Sequence, residues 1–190
     1  MKKCDFIGNG ELGRRCYQEL VRRNITQTEN KPDIRFCIGL TEIIPKQLLE
    51  VPCINIHPAL LPKYRGRYSI PHAIFNGEKY TGATIHFMNE GIDTGSIILQ
   101  EKIKIEDNDT AQIVWDKFLV VGTELFSKFL DLWVSGEKIP SIPQNEKEAT
   151  YYPKGFPNGG KIDLSWKGEK IKRFVRAMTY DPYPIWIKNV

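Results

Sequence analysis

The run Asn55-Ile56-His57-Pro58 places an amide and an imidazole two positions apart. In an extended chain that spacing puts both side chains on one face. Further along, Gly91-Ile92-Asp93-Thr94-Gly95 offers a carboxylate in a glycine-flanked turn. An Asn, a His and an Asp that meet would supply a neutral donor, a group titrating near neutral pH, and an anion to orient or charge it. Spacing alone leaves a second reading open: a His bonded structurally to a turn, with Asp93 as a turn former beside glycine. A third constellation, Gly8-Asn9-Gly10-Glu11-Leu12-Gly13, fits GxGxxG, in which glycines let a pyrophosphate approach a helix N-terminus. That fingerprint also wants a second strand with an acidic end about 20 positions on. The corresponding Thr26-Gln27-Thr28-Glu29-Asn30 has no strand pattern, so a tight structural turn is the stronger reading. His72, on a short helix, and His86, alternating along a strand, read as structural.

These residues need a scaffold, and the pattern predicts an α/β one. A strand over 2–8 leads through the glycines into a helix over 12–23; strands follow at 34–40 and 53–57, with a short helix over 45–50 between them. Alternating strands and helices indicate a largely parallel sheet, whose ligand sites lie at the carboxyl ends of strands. Asn55 and His57 leave the third strand at such an end. A Pro-rich, basic loop over 57–67 precedes a helix over 69–76, strands over 83–88 and 97–105, and the longest helix, 110–135, capped by Asp109 or Thr110. A different texture follows Gly136: a strand is expected over 161–166 and a helix over 169–178.

With 190 residues, 41% hydrophobic and 26% charged, and ordinary glycine and proline usage, the chain reads as a soluble globular protein. No apolar run approaches the roughly 18 residues of a membrane-spanning helix, and no signal-peptide core is visible; a cytoplasmic protein is expected. The net charge of +4 is dispersed, which argues weakly for a phosphate-bearing partner and more weakly for nucleic acid. Cys4, Cys16, Cys37 and Cys53 form no CxxC pair and read as buried reduced thiols, with no metal site.

The stretches Asn55-Ile56-His57-Pro58-Ala59-Leu60-Leu61-Pro62-Lys63-Tyr64-Arg65-Gly66, Gly82-Ala83-Thr84-Ile85-His86 and Gly91-Ile92-Asp93-Thr94-Gly95-Ser96-Ile97-Ile98 together resemble the catalytic core of the 10-formyltetrahydrofolate-dependent formyltransferases. The resemblance spans about residues 1–135. It implies a Rossmann-like, mostly parallel sheet flanked by helices, with a catalytic domain over 1–139 and a small strand-plus-helix extension over 140–190. Tyr151-Tyr152-Pro153-Lys154, Ile162-Asp163-Leu164-Ser165-Trp166 and Arg176-Ala177 resemble the tail of the methionyl-tRNA and sugar formyltransferase branch. The chain ends at Val190, without room for the β-barrel of the tRNA enzymes, and shows no concentrated basic face. A sugar-nucleotide amine is therefore the expected acceptor.

By the same resemblance, Asn55 and a protonated His57 stabilise the developing oxyanion, and Asp93 holds His57 cationic and helps move the amine proton. The folate, 10-formyltetrahydrofolate, would lie between Thr41, Glu42, Ile43 and Ile44 and the turn Met88, Asn89, Glu90, Gly91 and Ile92. The loop Lys63, Tyr64, Arg65 and Gly66 would face the acceptor, with Arg65 forked onto a phosphate, and the Leu61-Pro62 bond would be cis. The first half is shortened: only about ten residues span a gap that relatives fill with a strand, helix and strand. Other readings are a methionyl-tRNA formyltransferase, a formyl-folate hydrolase, and a noncatalytic folate-binding or nucleotide-binding module. Small-molecule substrates are expected, with no membrane or nucleic-acid partner and a mild preference for a homodimer.

Overall fold

A computed structural model of the chain describes residues 2–40 and 44–180. Strand β1 (Lys3–Gly8) runs into helix α1 (Gly10–Arg22). A two-residue strand β2 (Thr26–Gln27) follows, then β3 (Ile34–Ile38) and, after a 3-10 turn at Lys46–Glu50, β4 (Cys53–His57). Next come β5 (Arg65–Gly66), α2 (Ser69–Asn76), β6 (Tyr80–Phe87), β7 (Ile97–Lys104) and the long α3 (Ala111–Ser135). The last part holds β8 (Tyr151–Tyr152) and α4 (Gly168–Met178).

The strands form one six-stranded sheet in the order β2-β1-β3-β4-β6-β7, and a two-stranded sheet β5-β8. Pairing is parallel from β2 to β4 and antiparallel from β4 through β6 to β7. The change of direction at β4 matters, because β6 then lies against the strand that carries Asn55 and His57, with Asn55 opposite His86 and His57 opposite Thr84.

Alternation splits β3 and β4 cleanly. Phe36, Ile54 and Ile56 enter the core against α3, where the Phe36 ring sits 5.0 Å from Phe126, 5.9 Å from Phe129 and 5.8 Å from Trp133. Such a fully buried ring is worth about 3–5 kcal/mol against alanine. The other parity, Arg35, Cys37, Cys53, Asn55 and His57, faces away from that cluster. Thr110 caps α3 by accepting from the Ile113 N–H at 3.3 Å, and Gly136 ends the helix in the left-handed region. All four cysteines are buried, and burial pushes the Cys4 thiol up to about 11.

Two details depart from the sequence pattern. Thr26–Gln27 does add a short parallel edge to β1, since main-chain pairing of two exposed residues needs no apolar alternation. Residues 161–166 are not a strand: Asp163 takes the N–H and the hydroxyl of Ser165 at 2.9 and 2.6 Å and closes a turn. Trp166 then packs on Phe75 and Phe174, and the strand of this region is β8 instead.

Candidate active site

Three segments converge at the carboxyl end of β4. The first is β4 itself. His57 is buried, and its Nε2–H donates to the Tyr64 carbonyl at 2.7 Å, leaving Nδ1 3.4 Å from Asp93 Oδ2. The second is the turn between β6 and β7. Asn89 shapes it by accepting from the Gly91 N–H and the Thr94 hydroxyl at 3.1 and 2.7 Å. Asp93 stands there in the left-handed region at φ 54°, which Asp tolerates better than most residues. The third is the loop after β4, held by Thr84, whose hydroxyl donates to Ala59 at 2.6 Å and accepts from Gln100 at 2.7 Å. The Leu61–Pro62 bond in this loop is cis. Its end, Gly66, donates its N–H to Asp93 Oδ2 at 2.8 Å. A side chain at Gly66 would meet the Tyr152 carbonyl at 2.1 Å, so only glycine lets the backbone come this close.

A fourth residue completes the cluster. His86 Nδ1–H donates to the Phe87 carbonyl at 2.8 Å, and Nε2 lies 3.4 Å from Asn55 Nδ2 and 3.5 Å from Asp93 Oδ1. The sequence reading took His86 as structural. Its proximity to Asn55 comes from antiparallel register, which alternation within one strand does not reveal.

The electrostatics follow from this packing. Burial pulls the His57 imidazole below its ordinary value, and the attraction of Asp93 and the Tyr64 carbonyl only partly offsets it. Burial acts to raise the Asp93 carboxyl, but His57, His86 and the Gly66 N–H outweigh it and keep the group ionised well below the usual carboxylate range. Desolvation favours the neutral form of the ring, with Nδ1 beside an anion that stabilises it once protonated.

These groups sit on a cavity of about 760 Å³. Of the residues expected to hold folate, Ile44, Met88, Asn89, Glu90, Gly91 and Ile92 line it, joined by Cys37, Leu40 and Leu49; Thr41, Glu42 and Ile43 lie outside the described residues. The Gly-rich turn contributes Asn9, Gly10, Glu11 and Leu12 to the lining. Arg67, Tyr68, Tyr151 and Lys154 also line the cavity.

Of the loop expected to face an acceptor, only Gly66 reaches the cavity. Lys63 points to solvent, and Tyr64 is buried with its hydroxyl on Glu78 at 2.9 Å and its ring stacked on Tyr152. Arg65 is turned inward: its guanidinium bonds Gln144 at 2.9 and 3.1 Å and Glu146 at 2.6 and 2.9 Å. Those donors are held within the protein, and the cationic side chains that line the cavity are instead Lys46, Arg67 and Lys154. Among the described residues no group of three or more His, Cys, Asp or Glu is placed to hold a metal, and no helix is long and apolar enough to cross a membrane.

The arrangement matches known proteins. The family model described as formyl transferase covers residues 14–130. A methionyl-tRNA formyltransferase of Alkaliphilus oremlandii is 39% identical over 164 residues, which are 84% of this chain and 52% of that protein. A GDP-perosamine N-formyltransferase of Brucella melitensis is 36% identical over 156 residues, 80% of this chain and 59% of that protein. The chain thus spans about half the length of the curated relatives it matches. In fold it is similar to an N-formyltransferase from Helicobacter canadensis solved with folinic acid and dTDP-3-aminofucose, at a TM-score of 0.81, 21% identity, and coverage of 97% of this chain and 83% of that one. With more than half its length matched by the family model, and the Asn55, His57 and Asp93 side chains gathered at the carboxyl end of β4, this chain belongs to the formyl transferase family.

Proposed function

We propose that the protein transfers a formyl group from 10-formyltetrahydrofolate to the primary amine of an amino-sugar nucleotide. The observation that carries the reading is the meeting of Asn55, His57 and Asp93 on a cavity whose lining holds two chemically different sets of residues. One set, the apolar Cys37, Leu40, Ile44 and Leu49 with the turn at Asn89–Ile92, suits a planar heterocycle bonded along its edge, as a pterin is. The other set combines two cations, Arg67 and Lys154, with two aromatic rings, Tyr68 and Tyr151, and suits the phosphates and base of a nucleotide.

In this reading Asn55 Nδ2 donates to the oxygen that gains charge as the amine adds to the formyl carbon. His57 Nδ1 takes the proton that the amine nitrogen sheds, and the imidazolium is stabilised by Asp93 at 3.4 Å. As the carbon–nitrogen bond to the folate breaks, His57 returns that proton to the leaving nitrogen. The chain ends the cycle in the state in which it began.

The test mixes the protein with 10-formyltetrahydrofolate and a panel of amino-sugar nucleotides, follows tetrahydrofolate release and product mass, and uses His57→Asn as control. Release that needs one amino sugar, adds a formyl mass and vanishes in the variant is the expected result. The identity to methionyl-tRNA formyltransferases favours a second acceptor, so aminoacylated initiator tRNA belongs in the panel; formylation of it alone would replace the sugar reading. Release without an acceptor would indicate a hydrolase, and folate binding without turnover a binding module.

A further inference from the structure

We propose that Gln144, which lies beyond the 14–130 segment shared with the family model, is a positioning residue that fixes the Asp93 turn for the formyl transfer proposed above. Its Nε2 donates to the carbonyls of Asp93 and Gly95, each at 2.7 Å. Its Oε1 accepts from Arg65 Nε and Nη2 at 3.1 and 2.9 Å. The amide therefore makes the four bonds that its two hydrogens and two lone pairs allow, and none is to a near neighbour in sequence.

The consequence is that Asp93 is gripped at both ends by one connected unit. Gly66, next to Arg65, donates to its carboxylate at 2.8 Å, while Gln144, bonded to Arg65, holds its carbonyl. Asp93 at φ 54° occupies a conformation that a residue with a Cβ disfavours, so an external grip on its carbonyl selects it against ordinary turn geometries. The separation of 3.4 Å between Asp93 and His57 is a loose contact whose strength depends on where the turn is held. Releasing the Asp93 carbonyl lets the carboxylate recede and weakens the charge that stabilises protonated His57. The bridge between Ile97 and Ile142 brings the chain past this turn but touches neither carbonyl, so the positioning falls to the Gln144 side chain.

The decisive variant is Gln144→Met, which keeps the length and loses the donors without adding charge; Gln144→Asn, which keeps the amide but shortens its reach, serves if the first fails to fold. Glu146→Ala is the control, since it removes Arg65's other partner and leaves both turn bonds intact. Gln144→Met should lower kcat by about 10-fold to 10²-fold with the KM for the formyl donor within about 3-fold, and Glu146→Ala should leave kcat close to wild type. Titration of the His57 imidazole followed by NMR gives a readout independent of turnover. Asp93 and His86 are the titratable groups against His57, and Gln144→Met should lower its midpoint by about half a pH unit as Asp93 recedes. An unchanged midpoint, or a loss of kcat reproduced in full by Glu146→Ala, would overturn the proposal. Should the wild type transfer no formyl group to any acceptor, the function reading fails while the NMR shift still decides the role of Gln144.

Discussion

Strand β4 carries two polar clusters on one face, one at each end, and they are built on opposite principles. At the entry, Arg35 forms a pair with Asp5 at 2.6 Å and also bonds the Leu48 carbonyl, while Cys53 reaches the carbonyls of Leu48 and Val51 at 3.0 and 3.2 Å. At the exit, the Asn55 amide meets His86 Nε2 at 3.4 Å, and Nδ1 of His57 stands 3.4 Å from the Asp93 carboxylate. Both ends bury charge, but the first spends its donors within the protein, whereas the second leaves atoms loosely partnered beside a cavity. Tight satisfaction marks a structural polar cluster; incomplete satisfaction next to space marks a chemical one.

The contrast breaks first, and most visibly, at the entry. Asp5→Ala leaves the Arg35 guanidinium buried without its partner and should cost about 3–5 kcal/mol in urea unfolding, while kcat of the folded fraction stays within about 2-fold. Replacing both partners by apolar residues, as in Asp5→Leu with Arg35→Met, should recover most of the lost stability. A collapse of turnover in folded Asp5→Ala would mean the two ends are coupled and the contrast is false. The exit should behave inversely. Asn55→Ala removes an oxyanion donor and should lower kcat by about 10²-fold to 10³-fold. Because only one long contact is lost, the stability change should stay below about 1 kcal/mol. Steady-state kinetics beside a thermal melt of the same sample checks both halves.

His86 sharpens the comparison by a smaller amount. Its polar contacts in the cluster are with Asn55 and Asp93, so His86→Leu should cost about 10-fold in kcat, less than Asn55→Ala. Equal losses in the two variants would place His86 on the substrate itself.

How far the sequence disclosed this site depends on whether a residue's partners are local. Asn55 and His57 were legible because they share a strand and a face, and the Gly91–Gly95 turn was legible because its glycines announce it. The helix over 110–135 declared itself through its apolar spacing and its cap. Arg65 was misread as facing a phosphate because the loop sequence is silent about Gln144 and Glu146, which arrive roughly 80 positions later to take its donors. His86 was missed because its meeting with Asn55 depends on β4 and β6 running antiparallel in one particular register. A short edge such as β2 has no side-chain signature, since two exposed residues joined by main-chain bonds leave no apolar alternation to read.

The smallest expected effect is the pH dependence of stability, and its sign separates the two ends again. His57 titrates lower in the folded protein than in the unfolded chain because burial disfavours its charge. Above the ordinary histidine value of about 6.5 neither state is protonated and the contribution is complete; as pH falls below it the unfolded chain takes up a proton the folded site resists, and stability declines. His72 is shifted in the same direction by burial and adds to the same window. Asp93, held low, contributes above about 3.9 and loses that contribution only at more acid pH, so the two windows are distinct. The unfolding free energy measured by urea titration from pH 7 to 5 should therefore fall, by no more than about 1.4 kcal/mol per pH unit for each histidine. In His57→Asn the slope should be shallower by the His57 share, whereas Asp5→Ala should lower the whole curve without changing its slope in this range. An unchanged slope in His57→Asn would mean that Asp93 balances desolvation at the exit of β4 and leaves the imidazole unshifted; a steeper slope would mean that His57 rests charged.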